Sequence, residues 1–440
     1  MFHSVQKNVQ VNISIINKTE PHRKMTGDNY FFMKKENLNI LTVNCGSSSI
    51  KFALYETYRK TNKILSGHIK RIGLNDTAFT ITNHITGASE EIKTETKSFK
   101  EAAKFLITQL KKQKCFNSVG CIGHRIVYGM DHTNPEIIND QLLADLNKIR
   151  EYDPDHLPAE IETIKLFKKQ YPTLLQVACF DTSFHTNMPP VAKILPIPRR
   201  FAKAGIRRYG FHGLSYTYLM EELKKIEGAI KSKGRIILAH LGNGASLAAV
   251  KEGKSLDTSM GFTPAGGLVM GTRTGDLDPG VAWCMLQKEK MNSKKFNHIV
   301  NHESGLLGVS EISADMQDLL KKESSDVHAA NAVKLFCYQV KKWVGAYTAV
   351  LNGLDMLVFS GGIGENSAAI RSRICKGFDY LHIEIDEKEN STNALLISTK
   401  KSKVKVYVIP TDEEIIIANS AKKLFENELK KHLLLTKKIK

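Results

Sequence analysis

No stretch of this chain approaches the ~20 consecutive apolar residues that a membrane helix needs, so no membrane partner is expected. Nor does the N-terminus read as a secretory signal: Val9–Ile16 is broken by Asn and Ser, and no small-residue cleavage site follows. The seven cysteines (45, 115, 121, 179, 284, 337 and 375) are scattered and form no CxxC pair. That excludes a disulfide framework or zinc cluster and suits a reducing, cytoplasmic setting. A Walker A loop is absent, because Gly253-Lys254-Ser255 has Ala248 where the first glycine belongs. GxGxxG fails at Ser367, and His302-Glu303 lacks the second histidine of HExxH, which disfavours zinc hydrolysis. Low-complexity linkers and short repeats are missing as well.

What is present is an ordinary globular composition, 42% apolar and 25% charged over 440 residues, long enough for two packed domains. The net charge of +18 invites a nucleic-acid reading. The lysines are spread out, however, with clusters only at Lys400–Lys405 and Lys430–Lys440, and no aromatic residues interleave them as a stacking platform requires. A solvated lysine surface is the better account, with no nucleic-acid partner. Residues 1–36 are polar and aperiodic; they read as a disordered extension or a start assigned too early, Met33 standing just before the first strand.

Apolar patterning predicts a hairpin from 37–44 and 50–57, strands at 64–70, 77–82, 118–122 and 174–180, and helices at 99–112, 140–150 and 159–170. A second half opens in the same style, with strands at 235–241 and 245–250. A helix at 327–352 and a strand at 356–360 follow, and the chain closes on a helix near 413–429. Two halves that each begin strand–turn–strand suggest a duplicated α/β architecture with a cleft between domains.

Three Gly/Ser-rich turns follow predicted strands: Asn44–Lys51, His240–Ser246 and Gly361–Ser367. Glycine lets backbone amides approach an anion, and the third turn leads into a helix N-terminus. Singly each is an ordinary tight turn; together they point to a nucleotide. Arg125 continues an apolar strand and Arg273 sits among glycines; each is a structural ion pair or an anion clamp. Asp181 ends a strand, where α/β folds concentrate catalytic groups, although a simple cap is the plainer reading. His212 lies between Phe211 and Gly213 just before a helix. Ser246 nearly matches a nucleophile elbow, but Ala248 takes the final glycine position.

The ordered set VNCGSSSIKF, GHRIV, FDTSFH, RRYGFHG, HLGNGAS, DTSMGFTPAGGLVMGTRTGDLDPG, ESGLLGVS, FSGGIGENS and IPTDEE resembles the acetokinase family of the actin/hexokinase/sugar-kinase superfamily, collinearly from about Ile40 to Ala418. The resemblance implies two duplicated actin-like (RNase H-like) α/β domains around an inter-domain cleft. Residues 37–182 form the first, completed by a helix at 413–430, and 183–412 form the second. It implies ATP/ADP as co-substrate, Mg2+ that Mn2+ can replace, a short-chain fatty acid as acceptor, and a homodimer.

By position, Asn44 and Glu413 are similar to the metal-site residues. Ser47, Ser49 and Lys51 match groups facing the phosphates. Arg125, Arg273, Asp181 and His212 match the catalytic set. His156 resembles a second histidine near the transition state, and Val127, Phe211 and Pro264 resemble the acyl pocket. His240, Leu241, Gly242, Asn243 and Gly244, then Asp315, Met316 and Gln317, then Gly362, Ile363, Gly364, Glu365 and Asn366 correspond to nucleotide-binding stretches. Four departures stand out. Asp155 replaces an apolar pocket residue, Tyr128-Gly129-Met130 replaces HGG, Pro264-Ala265-Gly266-Gly267 replaces PLEG, and Gln317 replaces an arginine. The expected activity is phosphorylation of acetate, with propionate or butyrate kinase, a non-enzymatic actin-like regulator and a Ser246 esterase as rivals.

Overall fold

The computed structural model describes residues 38–438 except 47, 58, 59 and 75; the expectations for residues 1–36 and for Ser47 fall outside the described residues. The first half builds β1 (Asn39–Cys45), β2 (Ile50–Glu56), β3 (Asn62–Lys70), β4 (Ala78–Asn83), β5 (Ser89–Lys93), β6 (Val119–Ile126), β7 (Glu136–Ile137) and β8 (Leu175–Phe180). They form one sheet in the order β5-β4-β3-β2-β1-β6-β8-β7. The second half builds β9 (Ile236–Leu241), β10 (Ala245–Lys251), β11 (Lys254–Thr258), β12 (Met356–Ser360) and β13 (Lys405–Val408), ordered β11-β10-β9-β12-β13.

The two sheets share a plan. In the first, β3-β2-β1 are antiparallel and β1-β6-β8 parallel. In the second, β11-β10-β9 are antiparallel and β9-β12-β13 parallel. Each central strand is covered on both faces, which is why β1 (NILTVNC) and β9 (IILAHL) read as nearly unbroken apolar runs. Leu41 and Val43 point to helices α1 (Phe99–Lys111) and α2 (Leu157–Gln170), while Ile40 points to the opposite face.

In the second sheet, Ile236 and Leu238 meet α3 (Gly213–Lys231). Past α4 (Met316–Lys322) comes α5 (Val327–Leu351), whose Phe336, Val340 and Val344 join Ile237 and Ala239 in one cluster. After β12 the chain makes the short helix α6 (Gly361–Asn366). The final helix α7 (Glu413–Lys438) turns back onto the first sheet, burying Ile416, Ile417, Ala418 and Ala421 against Ile40, Cys121 and Val177. Tyr218 on α3 packs against both this cluster and that of the second sheet, so the helices covering the two sheets meet between them.

One local expectation changes. The Gly361–Ser367 segment is itself helical from Gly361, and the Gly361 amide is already bound by the Glu365 carboxylate at 2.8 Å, as is the Thr411 amide at 3.0 Å. Glu365 therefore works as a cap that ties α6 to the start of α7.

Candidate active site

Two joined cavities open where the central strands of both sheets end. One, of about 450 Å³, is lined by Asn44, Gly46, Ser49, Lys51, Arg125, His212, His240, Gly242, Asn243, Gly244, Gly361, Gly362, Glu365, Thr411, Glu413 and Glu414. The other, of about 640 Å³, shares Gly242, Asn243 and Gly362 and adds Asp315, Met316, Gln317, Leu320, Lys321, Ile363 and Asn366. Leu241 and Gly364 are buried beneath the loops they belong to. Asp315 caps α4, its Oδ1 accepting from the Gln317 amide at 2.7 Å. Lys321 places a cation in the cavity that Gln317 lines.

Arg125 is the hub of the first cavity. Its Nε and Nη2 donate to Asp181 Oδ2 at 3.1 and 2.5 Å, and its Nη1 donates to Asn44 Oδ1 at 3.0 Å. Burial alone would lower the guanidinium's affinity for its proton; Asp181 and Glu413 outweigh burial and raise it. Asp181 is fully buried, which raises its carboxyl above the ordinary range against the pull of Arg125. Its Oδ1 has no hydrogen-bond partner among the described residues. Asn44 Nδ2 donates to Glu413 Oε2 at 3.1 Å and to Glu414 Oε1 at 3.3 Å. Burial would raise Glu413, but Arg125, His240 and Lys51 hold it below its ordinary value, so it stands ionised. An ionised carboxylate fits the hard-oxygen preference of Mg2+, and the Asn44 amide oxygen, which faces Arg125 rather than Glu413, keeps a second lone pair for it. Glu414 and Thr411 escaped sequence reasoning, although IPTDEE contains both.

His212 occupies a left-handed backbone position, φ 59°, forced by its neighbours. The Gly213 amide docks on the Asp181 carbonyl at 2.8 Å, and any Cβ at Gly213 would collide with that carbonyl oxygen. The loop thus brings His212 to Asp181 from a different element. His212 Nδ1 lies 2.8 Å from Ser246 Oγ, which also bonds the Tyr216 hydroxyl at 2.5 Å. Ser246 is fully buried and engaged on both sides, which removes the esterase reading. The His212 ring stacks on His240 at 4.2 Å. Burial, then His240, Arg125 and Arg273, hold His212 well below its ordinary value, and burial lowers His240 to about 4.

Arg273 is delivered from the second half. A Cβ built on Gly244 would touch both its Nη1 and His212 Nε2, so the two meet at that glycine. It donates to the Pro264 carbonyl at 3.3 Å, and among the described residues no carboxylate bonds it. Val127 and Phe211 are buried beside this end, in a cluster that Tyr128 joins by stacking on Phe211 at 5.8 Å. His156 starts α2, its Nδ1 2.7 Å from Asp153 Oδ1.

This arrangement has known counterparts. The model of the acetokinase family matches residues 39–419. The chain belongs to the acetokinase family. It is 40% identical over 401 residues to an acetate kinase of Thermoanaerobacterium thermosaccharolyticum, covering 89% of this chain and 100% of that one. Among solved structures it resembles the acetate kinase of Porphyromonas gingivalis (TM-score 0.78, 36% identity) and a propionate kinase of Francisella tularensis (TM-score 0.81, 36% identity). Each likeness covers 88% of this chain and 99% of the other. As in other members of the acetokinase family, the fold is mixed α/β with two actin-like halves. Among the described residues no helix is long and apolar enough to cross a membrane.

Proposed function

We propose that this acetokinase-family enzyme is an acetate kinase that transfers the γ-phosphoryl group of ATP directly to acetate, giving acetyl phosphate and ADP, reversibly. The observation that carries this reading is Arg273, a half-buried cation without a carboxylate partner among the described residues, meeting His212 at Gly244. A cation held this way suits an incoming carboxylate or a phosphoryl group in flight.

In this reading ATP lies along the joined cavities. Its base end rests against Met316, Leu320 and Ile363, and its phosphates lie over Asn243, Gly244 and Gly362 toward Ser49 and Lys51. Asn44 and Glu413 would hold Mg2+, which when bound neutralises phosphate charge. Arg125, fixed by Asp181, and Arg273 grip the acid; a carboxylate oxygen attacks phosphorus in line as the bond to the ADP oxygen breaks. With Tyr216 donating to Ser246 and Ser246 to His212 Nδ1, a chain that these contacts allow, the ring proton would sit on Nε2 for the transferring group. Asp181, buried behind the cavity wall, orients Arg125. Val127, Phe211 and Pro264 shape a small acyl pocket, with His156 at its rim.

Seven free thiols support a cytoplasmic setting. Exposed Val191, Ile194 and Trp283 support a homodimer. Propionate is the second reading, favoured by the likeness to the Francisella tularensis propionate kinase; a single methylene shifts such pockets by only ~1–3 kcal/mol. Incubation with Mg-ATP, hydroxylamine and each short acid in turn tests both. Hydroxamate from acetate at the highest kcat/KM supports the first reading, preference for propionate the second, and none from any acid overturns both.

A further inference from the structure

Asp155 stands in the turn that leads into His156, and its Oδ1 lies 3.2 Å from Nε2 of His302. His302 belongs to the turn Ile299–Glu303 of the other half. That turn is fastened to the Arg273 loop: Thr272 Oγ1 donates to the Asn301 carbonyl at 2.8 Å, the Thr274 amide to Val300 at 3.1 Å, and the Ser304 amide to Thr272 at 3.0 Å. The pair therefore spans the two halves at the end where Arg273 waits. Both side chains stay reachable, at 24% and 39% exposure, so neither is needed for the core.

Burial lowers the Arg273 guanidinium, and the negative charges that oppose this are Asp153 and Asp155. Asp155 thus carries the functional group of the proposed substrate within electrostatic reach of the cation that must hold it. An unrestrained carboxylate there would compete for Arg273 in every free enzyme molecule. We propose that Asp155 is an internal rival of the substrate carboxylate, and that His302 tethers it away from Arg273, so that the pair sets affinity for the acid. The inference rests on the acid-kinase reading above. A bare bridge between halves would share the geometry, and the two differ in their epistasis.

The experiment is hydroxamate kinetics on wild type, His302→Ala, His302→Gln, Asp155→Ala and the double alanine variant. Because charge-assisted hydrogen bonds are strong, His302→Ala is expected to raise KM for acetate about tenfold, with KM for ATP unchanged. Removing the rival as well should restore KM for acetate in the double variant, and Asp155→Ala alone should leave it at or below wild type. His302→Gln, which keeps a donor, should stay close to wild type. A double variant as impaired as His302→Ala, or a His302→Ala enzyme with normal KM for acetate, overturns the inference while leaving the kinase reading intact. A wild-type protein that forms no hydroxamate overturns the kinase reading and takes the inference with it.

Discussion

Arg273 and Arg125 are chemically alike but held differently, and that difference sets what each substitution should do. Arg125 is locked to Asp181 and Asn44, whereas among the described residues the Arg273 guanidinium bonds only the Pro264 carbonyl and the Met270 sulfur. Arg273→Ala is therefore expected to fold normally and lose turnover by on the order of 10³-fold, as when an arginine finger is removed. Near-normal turnover in the folded variant would sink its assignment. Asp181→Asn should disturb both turnover and folding, since it leaves a buried guanidinium poorly paired.

Buried histidines make a second residue-scale test. His185 is fully buried and its ordinary value of 6.5 falls to about 4, chiefly through burial. The folded form thus resists the proton that the unfolded chain accepts, and its contribution to stability is full above pH 6.5 and lost as pH falls toward 4. His185→Gln should destabilise at neutral pH, with the gap to wild type narrowing by about 3 kcal/mol toward acid. Urea titrations across that range measure it, and a constant gap would refute the titration. At this scale the sequence was most legible in position: motifs far apart in the chain singled out Asn44, Arg125 and Glu413, which line one cavity. It was silent on Ser246 and Tyr216 as supports of His212, because their pairing crosses 34 and 30 residues of chain.

Among elements, the Phe211–Gly213 loop carries a sharp expectation. Gly213→Ala forces a methyl group into the Asp181 carbonyl, so the loop must lift and take His212 with it. Overpacking of this kind costs about 1–3 kcal/mol, and here the loss of kcat should exceed what the change in melting temperature explains. Unchanged kcat would detach the loop from catalysis. Patterning found β1, β2, β9, β10 and β12 because each alternates or runs apolar over five to seven residues. It missed β5 (SEEIK) and β11 (KSLDT), whose charged edge positions resemble loops, and two-residue β7. The α6 segment read as a phosphate turn because nothing local reveals that Glu365 claims its first amide.

For the whole molecule, duplication was visible as two strand–turn–strand openings, and the structure extends it to five equivalent strands per sheet. A nucleotide lying across cavities walled by both halves should stabilise them together. Saturating Mg-ATP at ~100 Kd should add about 2.7 kcal/mol, and a chelator should abolish most of that gain. Calorimetry with and without chelator checks it; an ATP shift indifferent to chelation would count against a metal at Asn44 and Glu413.

The last helix lies on the first sheet, its Ile417 seated where Gly123 leaves no side chain. On the ribosome this has a cost in time. Strands β1, β6 and β8 emerge early, yet the side chains that cover their outer face, Ile416 to Ala421, follow only after the whole second sheet has been made. At ~5–20 residues per second the delay is on the order of tens of seconds, during which an apolar face stands bare. The first half is thus a nascent client for chaperones until the Glu413–Lys438 helix has emerged, and a stop codon just before Glu413 should yield aggregates.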